Sequence, residues 1–118
     1  SGGTWFLPRR VGTARALGLA MTGERLGAEQ AQSWGLVWQV VDDADLPHAA
    51  ATLAAQLAQQ PTRALVATRN ALRAAATNTL DQQLDLERDL QRELGASHDY
   101  VEGVRAFVEK RAPRFEGR

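Results

Sequence analysis

The sequence predicts an all-α chain, and three observations support that prediction. Apolar residues recur every three or four positions through five or six segments, which is the spacing of one face of a helix. Glycine, proline or a polar residue suited to capping separates one segment from the next. No segment alternates apolar and polar residues as a half-buried strand does, and only residues 36–41 form a short apolar run of the extended type.

The first helix is expected at Val11–Met21. Residues 5–7 are three bulky apolar residues in a row, which have to pack against something. Pro8 follows them, and we expect it to end any helix that includes them, because proline lacks a backbone N–H and clashes with the preceding turn. Gly23 comes after the helical pattern, where a left-handed residue can close the helix.

A compact corner is expected at residues 27–41. Gly27 can act as the N-cap of a short helix that runs through Trp34, and Gly35 is expected to end that helix. Residues 36–41 have the sequence LVWQVV, which is rich in β-branched and apolar side chains. They predict a short buried strand or an extended connector.

The second half of the chain predicts four further helices, each preceded by a residue whose side chain can accept a backbone N–H. The expected N-caps are Asp45, Thr62, Thr79 and either Ser97 or His98. The expected helices are Leu46–Gln59, a segment that follows Thr62, Leu80–Ala96 and Asp99–Arg111. The last helix has acidic residues in its first turn and basic residues in its last turn, which complements the helix dipole.

Two polar residues fall within the leucine stripe of the predicted helix Leu80–Ala96. Glu87 and Gln91 lie inside the apolar arc, so we expect both to be partly buried and to need partners. Arg69, Arg73 or a backbone group is the expected partner of Glu87. This structural explanation is favoured over a catalytic carboxylate, because structural ion pairs also place carboxylates in such positions.

The composition excludes several classes of function. Fourteen basic and fourteen acidic residues cancel, so no net charge attracts nucleic acid or an anionic membrane. The absence of cysteine excludes disulfides and thiolate chemistry. No apolar run approaches the roughly 20 residues that span a bilayer. We therefore expect a cytoplasmic protein that has neither nucleic-acid nor membrane partners.

The residue types by themselves indicate no active site. His48 and His98 do not have the spacing of metal ligands, and no serine lies in a nucleophile motif, so no metal site is expected. Residues 28–43 have the outline of a helix-turn-helix. Its second element would carry two carboxylates and no positive charge, so DNA phosphates would repel it. A DNA-binding role is therefore not expected.

The order of several short motifs resembles the C-terminal part of the crotonase superfamily, the enoyl-CoA hydratases and isomerases. The motifs are SGGT at residues 1–4, LPRRVG at 7–12, TGERL at 22–26, GLV at 35–37 and EGVRAFVEKR at 102–111. No single motif is decisive, but their order and spacing extend over nearly the whole chain. Within the family, residues 1–12 are most similar to the epoxide-ring isomerases of phenylacetate degradation.

The resemblance implies a fold and a substrate. It implies the helical C-terminal trimerisation region of a crotonase subunit, with the ββα core absent. Residues 1–21 would form the edge of the active-site core and the first helix, residues 22–45 the turn, short helix and connector, and residues 46–118 the helical lid and oligomerisation segment. The implied substrate is an acyl-CoA thioester with no separate cofactor, and the implied assembly is a trimer or a dimer of trimers.

The resemblance also implies where the chemistry lies. The family stabilises a thioester enolate with two backbone N–H groups while water adds or a double bond or ring isomerises, as in phenylacetate or fatty-acid degradation. Those groups and the main acid–base carboxylates belong to the other half of the subunit. We therefore expect no catalytic residue in this chain, and no activity from the chain alone.

Three positions match substrate-binding positions of the family. Phe107 and Lys110 match residues that touch the CoA nucleotide, and because they lie three positions apart they are expected to share one helix face. The alternative is that Phe107 is core and Lys110 complements the helix dipole. Trp5 either lines the acyl pocket or anchors the first turn. The rival to the enzyme hypothesis is a non-catalytic helical oligomerisation module.

Overall fold

The computed structural model describes residues 2–118, so only Ser1, where the SGGT motif begins, lies outside the described residues. The described chain forms seven helices: α1 Gly3–Val11, α2 Thr13–Thr22, α3 Ala28–Ser33, α4 Leu46–Ala58, α5 Thr62–Ala74, α6 Leu80–Gly95 and α7 His98–Val108. No strand occurs within residues 2–118. The all-α prediction is confirmed, with one helix more than expected because α1 was not predicted.

The chain divides into two compact units, with the boundary after Ala49 inside α4. In the first unit α1 packs against α2, and in the second unit α5 packs against α6 and α6 against α7. Within residues 2–118, the helices are all too short or too polar to cross a membrane.

The prediction that Pro8 ends any helix that includes residues 5–7 is wrong, because α1 continues to Val11. α1 includes Pro8, which removes only one backbone donor from the helix. The chain breaks instead at Gly12, whose φ of 83° is accessible to glycine and whose N–H donates to the carbonyl of Pro8 at 3.0 Å. The second helix therefore begins at Thr13, and Val11 is the last residue of α1.

The corner at residues 23–41 is partly as predicted. Gly23 closes α2 with a φ of 65°, Gly27 is the N-cap of α3, and Gly35 follows the end of α3 with a φ of 75°. Residues 36–41 form neither a strand nor a helix but a bend and an irregular segment, and Trp38 is 78% exposed. No strand in the described chain offers these residues a hydrogen-bonding partner, and the second helix of a helix-turn-helix is not formed.

Local capping fixes the starts of α6 and α7. The Thr79 hydroxyl accepts the Gln82 N–H at 3.3 Å, and the Gln82 side chain accepts the Thr79 N–H at 2.9 Å, which makes a capping box. Ser97 caps α7 by accepting a first-turn N–H at 3.1 Å, so α7 begins one residue earlier than predicted. Thr62 is not an N-cap as predicted, because it is already the first residue of α5.

The expected burial of Glu87 and Gln91 is wrong, since both side chains are exposed. The Gln83 amide donates to the Glu87 carboxylate at 3.4 Å, and neither Arg69 nor Arg73 pairs with it among the described residues. The leucine stripe of α6 is wider than the surface that α5 and α7 cover, so its margin remains in solvent. The Glu87 carboxylate therefore has no special environment.

Candidate functional site

Helix α7 has one packed face and one exposed apolar face. At 100° per residue, Asp99, Glu102 and Ala106 fall on the same side of the helix, and Ala106 is only 1% exposed. The other side carries large apolar residues that are each at least half exposed in the second unit. These residues are Tyr100, Val101, Val104, Phe107 and Val108. The hypothesis that Phe107 is core does not hold for the second unit, because its side chain is 85% exposed.

The C-terminal tail, residues 112–118, is attached to the packed face of α7 by Asp99. The two carboxylate oxygens of Asp99 accept the backbone N–H groups of Glu116 and Gly117, each at 2.8 Å. The Asp99 N–H in turn donates to the carbonyl of Arg118 at 3.0 Å. The N–H of Glu116, with that of Gly117, holds the pKa of the Asp99 carboxyl below its usual range, because both bonds favour the ionised form.

Glu102 makes the second attachment, which we call the Glu102–Arg111 clamp. Arg111 donates from both terminal nitrogens to the Glu102 carboxylate, at 2.6 and 2.9 Å, and the Arg114 N–H donates to the same carboxylate at 2.7 Å. Arg111 also donates through Nε to Glu109 at 2.6 Å. The Glu102 side chain is 13% exposed. Arg111, followed by the Arg114 N–H, lowers the pKa of Glu102 to about 2.

The end of α7 corrects the prediction for Lys110. The helix ends at Val108 rather than Arg111, and Lys110 has a φ of 53°. The Lys110 N–H donates to the carbonyl of Phe107 at 3.2 Å, and the Arg111 N–H donates to that of Ala106 at 3.0 Å. This pair of bonds is the Schellman motif, in which the left-handed position is usually glycine. Phe107 and Lys110 therefore meet at a helix terminus and do not share a helix face.

Lys110 combines an unusual backbone with an unpaired charge. It is the single non-glycine residue with positive φ in the described part of the chain, and the single lysine among the fourteen basic residues of the sequence. Its side chain is exposed and, among residues 2–118, has no ion-pair partner. The arginines at 105 and 111, on either side of it, are both paired with glutamates. The Lys110 ammonium is therefore available to an anionic group of a ligand.

An apolar groove of about 410 Å³ lies beside α7 in the second unit. Its lining comes from α7, the tail, the end of α6 and the start of α5. The apolar part of that lining is Pro61, Leu94, Tyr100, Val104, Phe107 and Phe115. The tail packs closely on α7 at Gly103, where a Cβ would lie 3.5 Å from the Phe115 ring, an ordinary van der Waals distance. Phe107 thus borders a groove while most of its ring faces solvent.

Trp5 belongs to the first unit, on α1, whereas Phe107 and Lys110 belong to the second. The guanidinium of Arg9 lies 4.0 Å from the centre of the Trp5 ring, and the Phe6 ring packs edge-on with centroids 4.8 Å apart. Arg9 also donates to the Trp5 carbonyl at 2.9 Å. The Trp5 side chain remains 53% exposed, so it is held in place while part of its ring is open to a ligand or a neighbour.

Comparison with known proteins identifies the family. The sequence model of the enoyl-CoA hydratase/isomerase family matches residues 1–118. The chain belongs to the enoyl-CoA hydratase/isomerase family. The resemblance inferred from the short motifs, residues 102–111 included, is therefore confirmed.

Individual members of the enoyl-CoA hydratase/isomerase family are similar to this chain over its whole length. It is 58% identical over 117 residues to 1,2-epoxyphenylacetyl-CoA isomerase of Escherichia coli strain K12, covering 99% of this chain and 45% of that protein. It is 51% identical to a protein of Rhodobacter capsulatus named a probable enoyl-CoA hydratase, and the match covers 100% of this chain and 46% of that protein. The crystal structure of enoyl-CoA hydratase from Bacillus anthracis superposes on this chain with a TM-score of 0.92 at 33% identity. The superposition covers 99% of this chain and 45% of the hydratase chain. The chain thus spans just under half the length of these relatives.

Sequence reasoning missed the carboxylate that restrains the end of α7 and the carboxylate that attaches the tail near its start. Phe107 and Lys110 were predicted, and the structure brings them to one helix terminus. Glu102 and Asp99 were not predicted, because their partners lie 9 to 18 positions further along the chain. No helical or strand periodicity indicates contacts at those separations.

Proposed function

We propose that this chain is the helical C-terminal region of a larger acyl-CoA hydratase or isomerase subunit. The whole subunit would stabilise a thioester enolate while water adds or a double bond or ring isomerises. Family membership and the 58% identity to a 1,2-epoxyphenylacetyl-CoA isomerase support this proposal. The enolate-stabilising N–H groups would come from the remainder of the subunit, so the 118 residues alone would be inactive. The substrate carries its own coenzyme, so the reaction needs no separate cofactor.

The role of this chain would be to bind the nucleotide end of CoA at the end of α7. The observation that carries this role is that the unpaired Lys110 and the exposed Phe107 lie at the same helix end, joined by a backbone hydrogen bond of 3.2 Å. CoA offers phosphates, which attract an ammonium as a point charge, and an adenine, which packs on an aromatic or apolar face. A helix end that presents both groups to solvent fits that pair of ligand features.

A titration of CoA into the complete subunit that contains this chain tests this role. We expect Lys110→Ala to weaken CoA binding about tenfold, since a charge-assisted contact to phosphate is worth roughly 1.5–3 kcal/mol and solvent reduces it at an exposed site. The matched control is Arg92→Ala, which removes another exposed cation, on α6. We expect that control to keep the CoA affinity within about twofold. Equal affinities of the Lys110→Ala variant and the wild type would remove Lys110 from the binding site.

The exposed apolar face of α7 supports a role in assembly as well. Five large apolar residues on one helix would be covered in a trimer or a dimer of trimers, and a free monomer would leave them in water. The same face favours the second candidate function, a helical module that only oligomerises. Sedimentation of the 118-residue chain tests assembly, and a strictly monomeric species at micromolar concentration would contradict it. Assembly of the complete subunit without any CoA binding would favour the module over the enzyme.

A further inference from the structure

The left-handed conformation of Lys110 needs an explanation from its surroundings. A side chain with a Cβ is strained at a φ of 53°, and such strain persists only where neighbouring contacts determine the backbone. Glycine would adopt this position without strain and is the usual residue there. The chain instead has its single lysine at the site, held by contacts on both sides.

The contacts that hold this turn converge on Glu102. Arg111, directly after Lys110, forms a two-pronged pair with Glu102 and a further bond to Glu109, directly before Lys110. Glu102 also accepts the Arg114 N–H at 2.7 Å, which fixes the chain beyond the turn. One carboxylate on the second turn of α7 therefore restrains the backbone that carries the lysine.

We infer that Glu102 is a positioning residue: through Arg111 it holds Lys110 in the left-handed turn and so fixes the ammonium for the phosphates of acyl-CoA. This inference rests on the proposed function of Lys110. A turn that is already ordered loses less conformational freedom when the ligand binds, which strengthens binding. Arg111 suits this task because its planar guanidinium meets the carboxylate at two atoms, which a lysine cannot do.

The sign of the expected effect separates positioning from simple electrostatics. Glu102 is negative, and by charge alone its removal would strengthen binding of a phosphate. If Glu102 holds the turn, its removal weakens binding instead. A purely structural role would reduce stability while the folded protein kept its CoA affinity. Glu102→Gln, which keeps the shape and removes the charge, therefore gives a different result for each explanation.

A double-mutant cycle tests the inference in the complete subunit. CoA affinity is measured by calorimetric titration for the wild type, Glu102→Gln, Lys110→Ala and the double variant. We expect Glu102→Gln to weaken binding about fivefold in the wild-type background and to have no effect in the Lys110→Ala background, because coupled residues are not additive. In steady-state kinetics, KM for acyl-CoA rises with little change in kcat.

Two further variants serve as a control and a substitute. Asp99→Asn makes the same carboxylate-to-amide change on the same helix but releases the tail at residues 116 and 117, and we expect CoA affinity within about twofold of the wild type. Arg111→Lys keeps the charge and loses the two-pronged geometry, so it should weaken binding as Glu102→Gln does. If Glu102→Gln fails to fold, Arg111→Lys takes its place in the cycle.

The possible outcomes are distinguishable. Unchanged CoA affinity in Lys110→Ala would refute the proposed function of Lys110, and the inference with it. If Lys110→Ala weakens binding while Glu102→Gln leaves it unchanged or tightens it, only the positioning role of Glu102 is overturned. An equal loss from Glu102→Gln in both backgrounds would also overturn it, because Glu102 would then act independently of Lys110.

Discussion

Replacing Lys110 by glycine should stabilise the fold relative to replacing it by alanine. Both variants lose the ammonium, so their difference isolates the Cβ at a φ of 53°. A left-handed conformation costs a residue with a Cβ roughly 1–2 kcal/mol, and the greater freedom of glycine in the unfolded chain offsets about 0.4–1 kcal/mol of that gain. Lys110→Gly should therefore be more stable than Lys110→Ala by about 1 kcal/mol, a factor of about five in the folded-to-unfolded ratio.

Urea unfolding of both variants, at one protein concentration, measures this difference. Concentration is fixed because assembly itself adds stability, and the slopes should agree so that the midpoints can be compared. Arg92 provides the matched control, because it lies in the last turn of α6 and does not have a positive φ. At such a position the order reverses, and glycine should be less stable than alanine by about 1 kcal/mol. If Lys110→Gly is also less stable than Lys110→Ala, Lys110 does not occupy a left-handed turn.

Three further predictions concern the clamp, a helix cap and the first unit. In the folded protein the pKa of Glu102 is lowered from 4.5 to about 2, so the stability that its ionised form contributes is complete above pH 4.5 and is lost as the pH falls toward 2. In urea unfolding at a series of pH values, Glu102→Gln should flatten this decline in stability. An unchanged decline would contradict the clamp. Thr79→Ala should destabilise the protein by about 1 kcal/mol while Thr79→Ser, which keeps the hydroxyl, costs less, and equal losses in thermal unfolding would exclude the capping box. If Trp5 lines the acyl pocket, Trp5→Phe raises KM for acyl-CoA in the complete subunit with little change in melting temperature; a lower melting temperature with unchanged KM would assign it to anchoring α1 instead.

Features set within one helical turn were predictable from the sequence. Thr79 with Gln82 three positions later is a capping-box pattern, and the structure shows both hydrogen bonds. Ser97 caps α7, and Gly23 and Gly35 adopt the left-handed conformations expected of helix ends. Each of these outcomes depends on a side chain and a backbone group only a few residues apart, so the sequence contains the whole interaction.

Features that depend on distant contacts were not predictable in the same way. The predicted helix extended to Arg111 because basic residues suit a last turn, but α7 ends at Val108 and the clamp binds Arg111 to a carboxylate nine residues earlier. Glu87 was expected to be buried because the leucine stripe was assumed to be fully covered, whereas its neighbours cover only part of α6. Pro8 is a local exception, because its effect on the helix was overestimated: α1 tolerates the loss of one backbone hydrogen bond and ends at Gly12 instead.

The most direct test of nucleotide binding at the end of α7 is whether bound CoA protects Lys110 from a chemical acetylating reagent. The complete subunit is treated briefly with an acetylating reagent, and trypsin peptides that contain position 110 are quantified by mass spectrometry, with and without saturating CoA. Pantetheine, which has the thiol arm but no nucleotide, is the control ligand. We expect CoA to slow acetylation of Lys110 several-fold and pantetheine to leave it unchanged. Equal acetylation of Lys110 with and without CoA would contradict the claim that the end of α7 binds the nucleotide.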